Sequence, residues 1–316
     1  MKQLKLSTIG QYYTYKEESL LPLLISSLGY KIVWVEPNKC DLLIVGKPMN
    51  ALKWILKKGA SFILPDQYHT FINKHINRRH YKPLTLFHTC ENLRHDSVNT
   101  DYSISFDFST DQTRHFRLPY WMEMVDWSHE GLQGNKNQRF GKLFSISRMM
   151  QPLGHEFLSK PRKAVIFASH LDGPRKNFYN AVNDVIPIDG FGKYFDKNIA
   201  NHSSSGLEKY QILKGYAFNL CPENKIHPGY YTEKIPEAFL GETLPLTWTD
   251  SKVSVDFNPK AFINLHEINW RHFEELEQLL HTDKHLLSYT EQPLLLTAPS
   301  IEPFRVFVDQ LLRNVL

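Results

Sequence analysis

The sequence predicts an α/β protein built from two Rossmann-like units, on three observations. Short apolar runs alternate with stretches of helical spacing through the first half of the chain. The same alternation restarts after Lys160-Pro161-Arg162. The chain has 316 residues, 42% hydrophobic and 22% charged, enough to bury two cores. The expected domains are therefore residues 1–155 and 156–316.

In the first half, Leu4 to Ile9 reads as a strand and Tyr15 to Leu28 as a helix that stops at Gly29. Lys31 to Val35 and Asp41 to Val45 are strands, with Pro37-Asn38 and Gly46 as breaks. Ala51 to Lys58 is a helix, Ser61 to Leu64 a strand, Tyr68 to Ile76 a helix, and Leu84 to His88 a strand. This last strand runs into Thr89-Cys90-Glu91-Asn92. In an open parallel sheet, Glu91 would stand at the carboxyl edge, where ligands bind. No Gly-x-Gly-x-x-Gly follows any of these strands, which argues against a dinucleotide site. Gly131 to Gln138, rich in Gly, Asn and Gln, reads as a loop or the start of the domain linkage.

In the second half, Ala164 to Ala168 is a strand, Ser169 to Arg175 a loop and Lys176 to Val185 a helix. Asp189-Gly190-Phe191-Gly192 reads as a turn. Tyr216 to Leu220 is a strand, and Pro222 to Gly229 a loop. Thr232 is placed to cap a helix that ends at Gly241, with Pro236 in its first turn. Leu244 to Trp248 is the next strand. Such a β-loop-α unit aims free backbone N–H groups at its loop, and Lys234 adds a full positive charge. The physical reading is an anion site, for phosphate above other anions.

The net charge of +4 suits a phosphorylated ligand or an anionic surface and is too weak for a nucleic-acid partner. No apolar run approaches the roughly 18–20 residues that span a bilayer, and Met1 to Lys16 carries no signal-peptide core. Cys40, Cys90 and Cys221 share no metal or redox spacing, which fits a reducing, cytoplasmic setting. Peripheral contact with an inner membrane stays open. The basic run Lys74 to Lys82 and the amphipathic stretch Glu302 to Leu316 would be its points of contact. The first also reads as a solvated helix end, and the second as a helix packed on the protein. His281 and His285 have the spacing of a shared helix face, but no His-Glu-x-x-His frames them.

Four blocks then occur in order. They are Asn219-Leu220-Cys221-Pro222-Glu223-Asn224, Tyr230-Tyr231-Thr232-Glu233-Lys234-Ile235, Leu244-Pro245-Leu246-Thr247-Trp248 and Asp256-Phe257-Asn258-Pro259-Lys260. Together they resemble the donor-site signature of the α-1,3-fucosyltransferases, glycosyltransferase family 10, and most of all its bacterial, lipopolysaccharide-modifying members. Thr89-Cys90-Glu91-Asn92 resembles the family's Thr-Gly-Glu-Asn block, with cysteine for glycine. Ala168-Ser169, Arg175 and Phe178-Tyr179-Asn180-Ala181 resemble a further block of the family, with a one-residue gap in the loop.

The resemblance implies the GT-B type of fold, with two Rossmann-like domains facing each other across a cleft. Residues 1–155 would bind the acceptor and 156–316 the nucleotide-sugar donor. It implies an inverting transfer of fucose from GDP-fucose to a GlcNAc or Glc hydroxyl of a glycan, such as a lipopolysaccharide O-antigen. Glu91 would be the general base. Arg175 and Lys234 would hold the pyrophosphate. Tyr230 and Glu233 would bind the ribose or sugar part of the donor, and Glu223 and Asn224 would line the same pocket. GDP-fucose is then a co-substrate, and no cofactor or obligatory metal is expected. The chain contains no Asp-x-Asp for a metal, so protein cations must neutralise the leaving pyrophosphate. Pro236 and Thr249-Asp250 depart from the family pattern near the donor. The alternatives are a transferase of the same fold with another nucleotide sugar, and a non-catalytic sugar- or nucleotide-binding relative.

Overall fold

The computed structural model describes residues 2–10, 16–46, 83–109, 111–138, 141–196 and 207–315. The elements expected over 51–76 and the basic run 74–82 lie outside the described residues. Two compact units emerge. The first contains residues 1–123, 127–137 and 300–316, and the second 124–126 and 138–299.

The first unit is a six-stranded sheet in the order β2-β1-β3-β4-β5-β6. Its strands are β1 (Lys2–Ile9), β2 (Tyr30–Trp34), β3 (Leu42–Val45), β4 (Leu84–His88), β5 (Tyr102–Ser105) and β6 (His115–Arg117). The second is a five-stranded sheet in the order β11-β10-β9-β7-β8. Its strands are β7 (Ala164–Phe167), β8 (Ile188–Phe191), β9 (Phe218–Leu220), β10 (Leu244–Thr247) and β11 (Ile263–Asn264). Every pairing between these described strands is parallel. Parallel strands are covered on both faces, which is why β3 and β10 are buried along their whole length rather than alternating.

The expected Tyr15–Leu28 helix is shorter. Tyr15 lies outside the described residues, Lys16–Glu18 is a 3-10 turn, and α1 runs over Leu20–Ser27. Proline is tolerated only in a helix's first turn, and Pro22 at the third position forces this late start. Gly29 follows the C-cap at φ 87°, a left-handed stop.

In the second unit α2 (Pro174–Val185) begins two residues before its expected start, so Arg175 stands in a helical first turn instead of a loop. Residues 189–192 are not a turn. Ile188–Phe191 forms β8, paired with β7. The glycines there serve close approach: a Cβ on Gly190 would lie 2.3 Å from the Phe195 ring, and one on Gly192 2.7 Å from the Ala168 carbonyl. α3 (Leu207–Leu213) precedes β9, α4 (Lys234–Leu240) precedes β10, and α5 (Phe273–His281) and α6 (Asp283–Thr290) follow β11. His281 closes α5 and bonds the Val185 carbonyl at 3.2 Å, while His285 belongs to α6. The two histidines therefore share no helix face.

The largest departure concerns α7 (Glu302–Val315), which belongs to the first unit and not to 156–316. Its apolar residues Phe304, Phe307, Val308, Leu311 and Leu312 recur at helical spacing and are buried. Phe304 and Phe307 meet the Phe116 ring at 5.0 and 5.4 Å. Arg305 adds bonds to Ser27 Oγ at 2.9 Å and to the Glu130 carbonyl at 2.8 Å. Each buried phenylalanine contributes about 1.5–3 kcal/mol to this docking. The boundary near 155 also moves: residues 138–155 lie with the second unit, where Val125 bridges Phe144.

Candidate functional site

The strand order of the second sheet reverses at β7. The chain steps from β7 out to β8, then returns to lay β9 on the other side of β7. In open α/β sheets, ligands bind at the carboxyl ends of the strands beside such a reversal. A hollow opens at this point, lined by Phe167, Ala168, Arg175, Asn219, Cys221, Glu233 and Lys234 among others.

Glu223 organises its charges. The residue is 1% exposed. Its Oε1 accepts the Thr232 backbone N–H at 2.9 Å and the Thr232 hydroxyl at 2.8 Å. Its other oxygen pairs with the Lys234 ammonium, which also donates to Thr232 Oγ1 at 3.2 Å. This corrects the expected cap: Thr232 bonds Glu223, and Glu233 holds the N-cap position of α4 without a side-chain cap bond. Lys234 follows as the first helical residue, and Pro236 falls in the first turn, where no helical bond is lost.

Burial pulls the Lys234 ammonium down, but the Glu223 and Glu233 carboxylates outweigh it and hold the group above its ordinary value. Burial likewise lowers Arg175, against the opposing pull of Asp172, Glu223 and Tyr230. Arg175 Nη1 donates to Asn224 Oδ1 at 2.9 Å. Six residues named from the sequence thus converge. Arg175, Glu233 and Lys234 line the hollow, Glu223 and Asn224 hold two of them, and Tyr230 lies within electrostatic reach of Arg175.

Sequence reading missed three members. Lys209 on α3 pairs with the buried Glu237 on α4 and stands 4.9 Å from the centre of the Phe167 ring. Asn219 on β9 is buried, and its Oδ1 has no hydrogen-bond partner among the described residues. Glu237 had a signal, since three residues after Lys234 it shares that helix face. Asn219 heads a matched block that carries no role for it by itself, and Lys209 had no signal. The Cys221 thiol is pushed far up by burial and by Glu223, so it is no thiolate nucleophile.

In the first unit, Glu91 stands in the turn after β4 at the carboxyl edge, as expected, and is exposed. Its N–H donates to Thr89 Oγ1 at 3.2 Å, and its carbonyl accepts from Leu93 at 2.7 Å. His88 Nε2 lies 3.1 Å from Glu123 Oε1, both buried. Among the described residues, no three His, Cys, Asp or Glu side chains form a metal cluster. No described helix is long and apolar enough to cross a membrane.

Two family models match the chain. The α-(1,3)-fucosyltransferase FucT N-terminal domain covers residues 50–124, and the glycosyltransferase family 10 (fucosyltransferase) C-terminal model covers 157–291. The chain belongs to glycosyltransferase family 10. A curated relative, α-(1,3)-fucosyltransferase FucT of Helicobacter pylori, is 27% identical over 288 residues. That match covers 85% of this chain and 54% of the relative, so the chain spans about half the relative's length. Among solved structures, an α1,3-fucosyltransferase aligns over 99% of this chain and 90% of its own, with TM-score 0.66 and 23% identity. An α1,3-fucosyltransferase with GDP-fucose aligns over 100% and 91%, with TM-score 0.64 and 22% identity. The family 10 fold is thus the expected GT-B type, built on two parallel sheets.

Proposed function

We propose that the chain is an inverting α-1,3-fucosyltransferase that moves fucose from GDP-fucose to a GlcNAc or Glc hydroxyl of a glycan. The observation that carries this reading is the meeting of Arg175, Asn224, Glu223, Glu233 and Lys234 at the β7/β9 reversal. A diphosphate needs cations there, and each cation is held by a neighbouring oxygen before any ligand arrives. The curated relative is an α-(1,3)-fucosyltransferase and one structural neighbour was solved with GDP-fucose, which supports fucose over other sugars.

In this reading the acceptor oxygen attacks the anomeric carbon of fucose. The bond from that carbon to the β-phosphate oxygen breaks, and GDP leaves. Glu91 takes the hydroxyl proton as the new bond forms. Arg175 and Lys234 offset the charge that builds on the pyrophosphate. Glu233 and Tyr230 contact the ribose or sugar, while Glu223 keeps Lys234 oriented. The acceptor is proposed to be a lipopolysaccharide O-antigen or a related oligosaccharide, modified in the cytoplasm or at the inner membrane.

The structure gives two departures from the family pattern a use of their own. Asp250 accepts from the Tyr231 hydroxyl at 3.1 Å and from the Lys252 N–H at 2.9 Å, and Thr249 N–H bonds Asn264 at 3.2 Å. Pro236 sits where a helix tolerates proline. No observation favours another donor sugar. GDP and GDP-fucose should raise the melting temperature by mass action, and UDP-sugars should not. Equal stabilisation by UDP-galactose would overturn the donor assignment. Activity should also persist in EDTA; complete loss, rescued only by manganese, would show that the pyrophosphate is assigned to the wrong groups.

A further inference from the structure

The turn that carries Glu91 is tied to the sheet by one buried carboxylate. We infer that Asp107 is the positioning residue of this edge, fixing the Glu91 turn through Arg94 and His95. The inference rests on the reading of Glu91 as the base.

Asp107 follows β5 and is fully buried. Its Oδ2 accepts the His95 backbone N–H at 2.8 Å and stands 3.0 Å from His95 Nδ1. An ionised carboxylate only accepts, so that ring nitrogen carries the proton. Ser105 Oγ donates to the same oxygen at 3.1 Å. Oδ1 forms an ion pair with Arg94 Nε, a close charge contact that is not aligned as a hydrogen bond. Both carboxylate oxygens are thus turned to two successive residues, three and four positions after Glu91.

The frame behind Asp107 is itself fixed. The His95 ring stacks on His115, centres 4.1 Å apart. His115 Nδ1 lies 2.8 Å from Ser103 Oγ, and its Nε2 3.0 Å from the Asp107 carbonyl. Ser103 and Ser105 belong to β5 and His115 to β6, neighbouring strands of the first sheet. A buried carboxylate is unfavourable unless such donors surround it.

The geometry leads from β5 and β6, through Asp107, to Arg94 and His95, and so to the turn at Glu91. A base must stand within hydrogen-bond reach of its proton, and a displacement of about 1 Å costs about 10²-fold in rate.

Asp107→Asn tests this, because it keeps shape while removing the charge. Hydrogen exchange should accelerate at amides 91–98 and stay unchanged in β3 and β4. Turnover should fall by about 10²-fold with the KM for GDP-fucose unmoved. In a Glu91→Gln background the same change should cost nothing further, because both act through one group. Residual product is read by mass spectrometry after long incubation, and exchange decides if that signal is too small. Unchanged exchange, an additive loss, or faster exchange across the whole first unit would overturn the inference. Arg94→Gln, at a side chain 38% exposed, repeats the test if Asp107→Asn does not fold. Near-normal turnover by Glu91→Gln would instead sink the base assignment, a result separable from failure of the Asp107 inference alone.

Discussion

The two units wind their first five strands in the same order, yet they use their carboxyl edges differently. In the second unit the charged groups gather at the strand reversal between β7 and β9, where the buried Glu223 holds the half-buried Lys234 and Asn224 holds Arg175. In the first, the reversal lies between β1 and β3, whereas Glu91 follows β4, is exposed, and depends on a neighbouring carboxylate for its frame. Topology places an edge, and side chains decide what it does. A preformed, neutralised hollow suits binding, and an exposed acid on a fixed turn suits proton transfer.

The sharpest way to break this contrast is Glu91→Gln. We expect turnover to fall by about 10²–10⁴-fold while GDP binding and melting temperature stay at parent values. A measured loss of GDP binding, or turnover near the parent's, would erase the division of labour.

Lys234→Ala probes the other edge. GDP affinity measured by calorimetry should weaken by about 1.5–3 kcal/mol, the scale of a charge-assisted contact. The same change leaves Glu223 buried without its ammonium, so chemical denaturation should show a stability loss of up to about 3 kcal/mol. Adding Glu223→Gln should recover part of that stability but none of the affinity. Full recovery of affinity would mean that Lys234 does not touch the ligand.

The same pair predicts a pH dependence. The Lys234 pKa is raised in the folded protein. Its contribution to stability is therefore complete below the unfolded value of about 10.4 and fades as pH rises through the folded value. The parent should lose stability more steeply above about pH 10.4 than Lys234→Met does. Parallel stability curves would show that the lysine is not coupled to Glu223.

Much of this was legible in the sequence because parallel strands advertise themselves as short apolar runs: β3, β4, β7, β9 and β10 all fall where those runs do. The donor residues were found through their local blocks. What stayed hidden depends on distant partners. Phe304 and Phe307 form a visible amphipathic face, but nothing in 302–315 says that its other half is Phe116. Thr232 looked like a cap because Glu223, nine residues earlier, cannot be seen to compete for its hydroxyl. Residues 189–192 suggest a turn because glycines imply flexibility, but Gly190 in β8 and Gly192 just after it let Phe195 and Ala168 close in. Lys209, ten residues before the nearest matched block, enters through Glu237 and the Phe167 ring.

The smallest expected effect tests whether Asp250 is structural. Tyr231→Phe should cost about 1.5 kcal/mol of stability by removing its hydroxyl contact with that carboxylate, and should leave GDP affinity unchanged. A marked change in affinity would bring Asp250 into the donor site and blur the border drawn around the hollow.

The central claim is that the second unit's hollow selects a guanosine-diphosphate sugar and that the chain transfers its fucose. Its most direct test is mass spectrometry of a Galβ1,4GlcNAc acceptor panel after incubation with GDP-fucose, GDP-mannose and UDP-galactose in parallel. The account predicts one added deoxyhexose, from GDP-fucose alone. Transfer from UDP-galactose, with none from GDP-fucose, would contradict it.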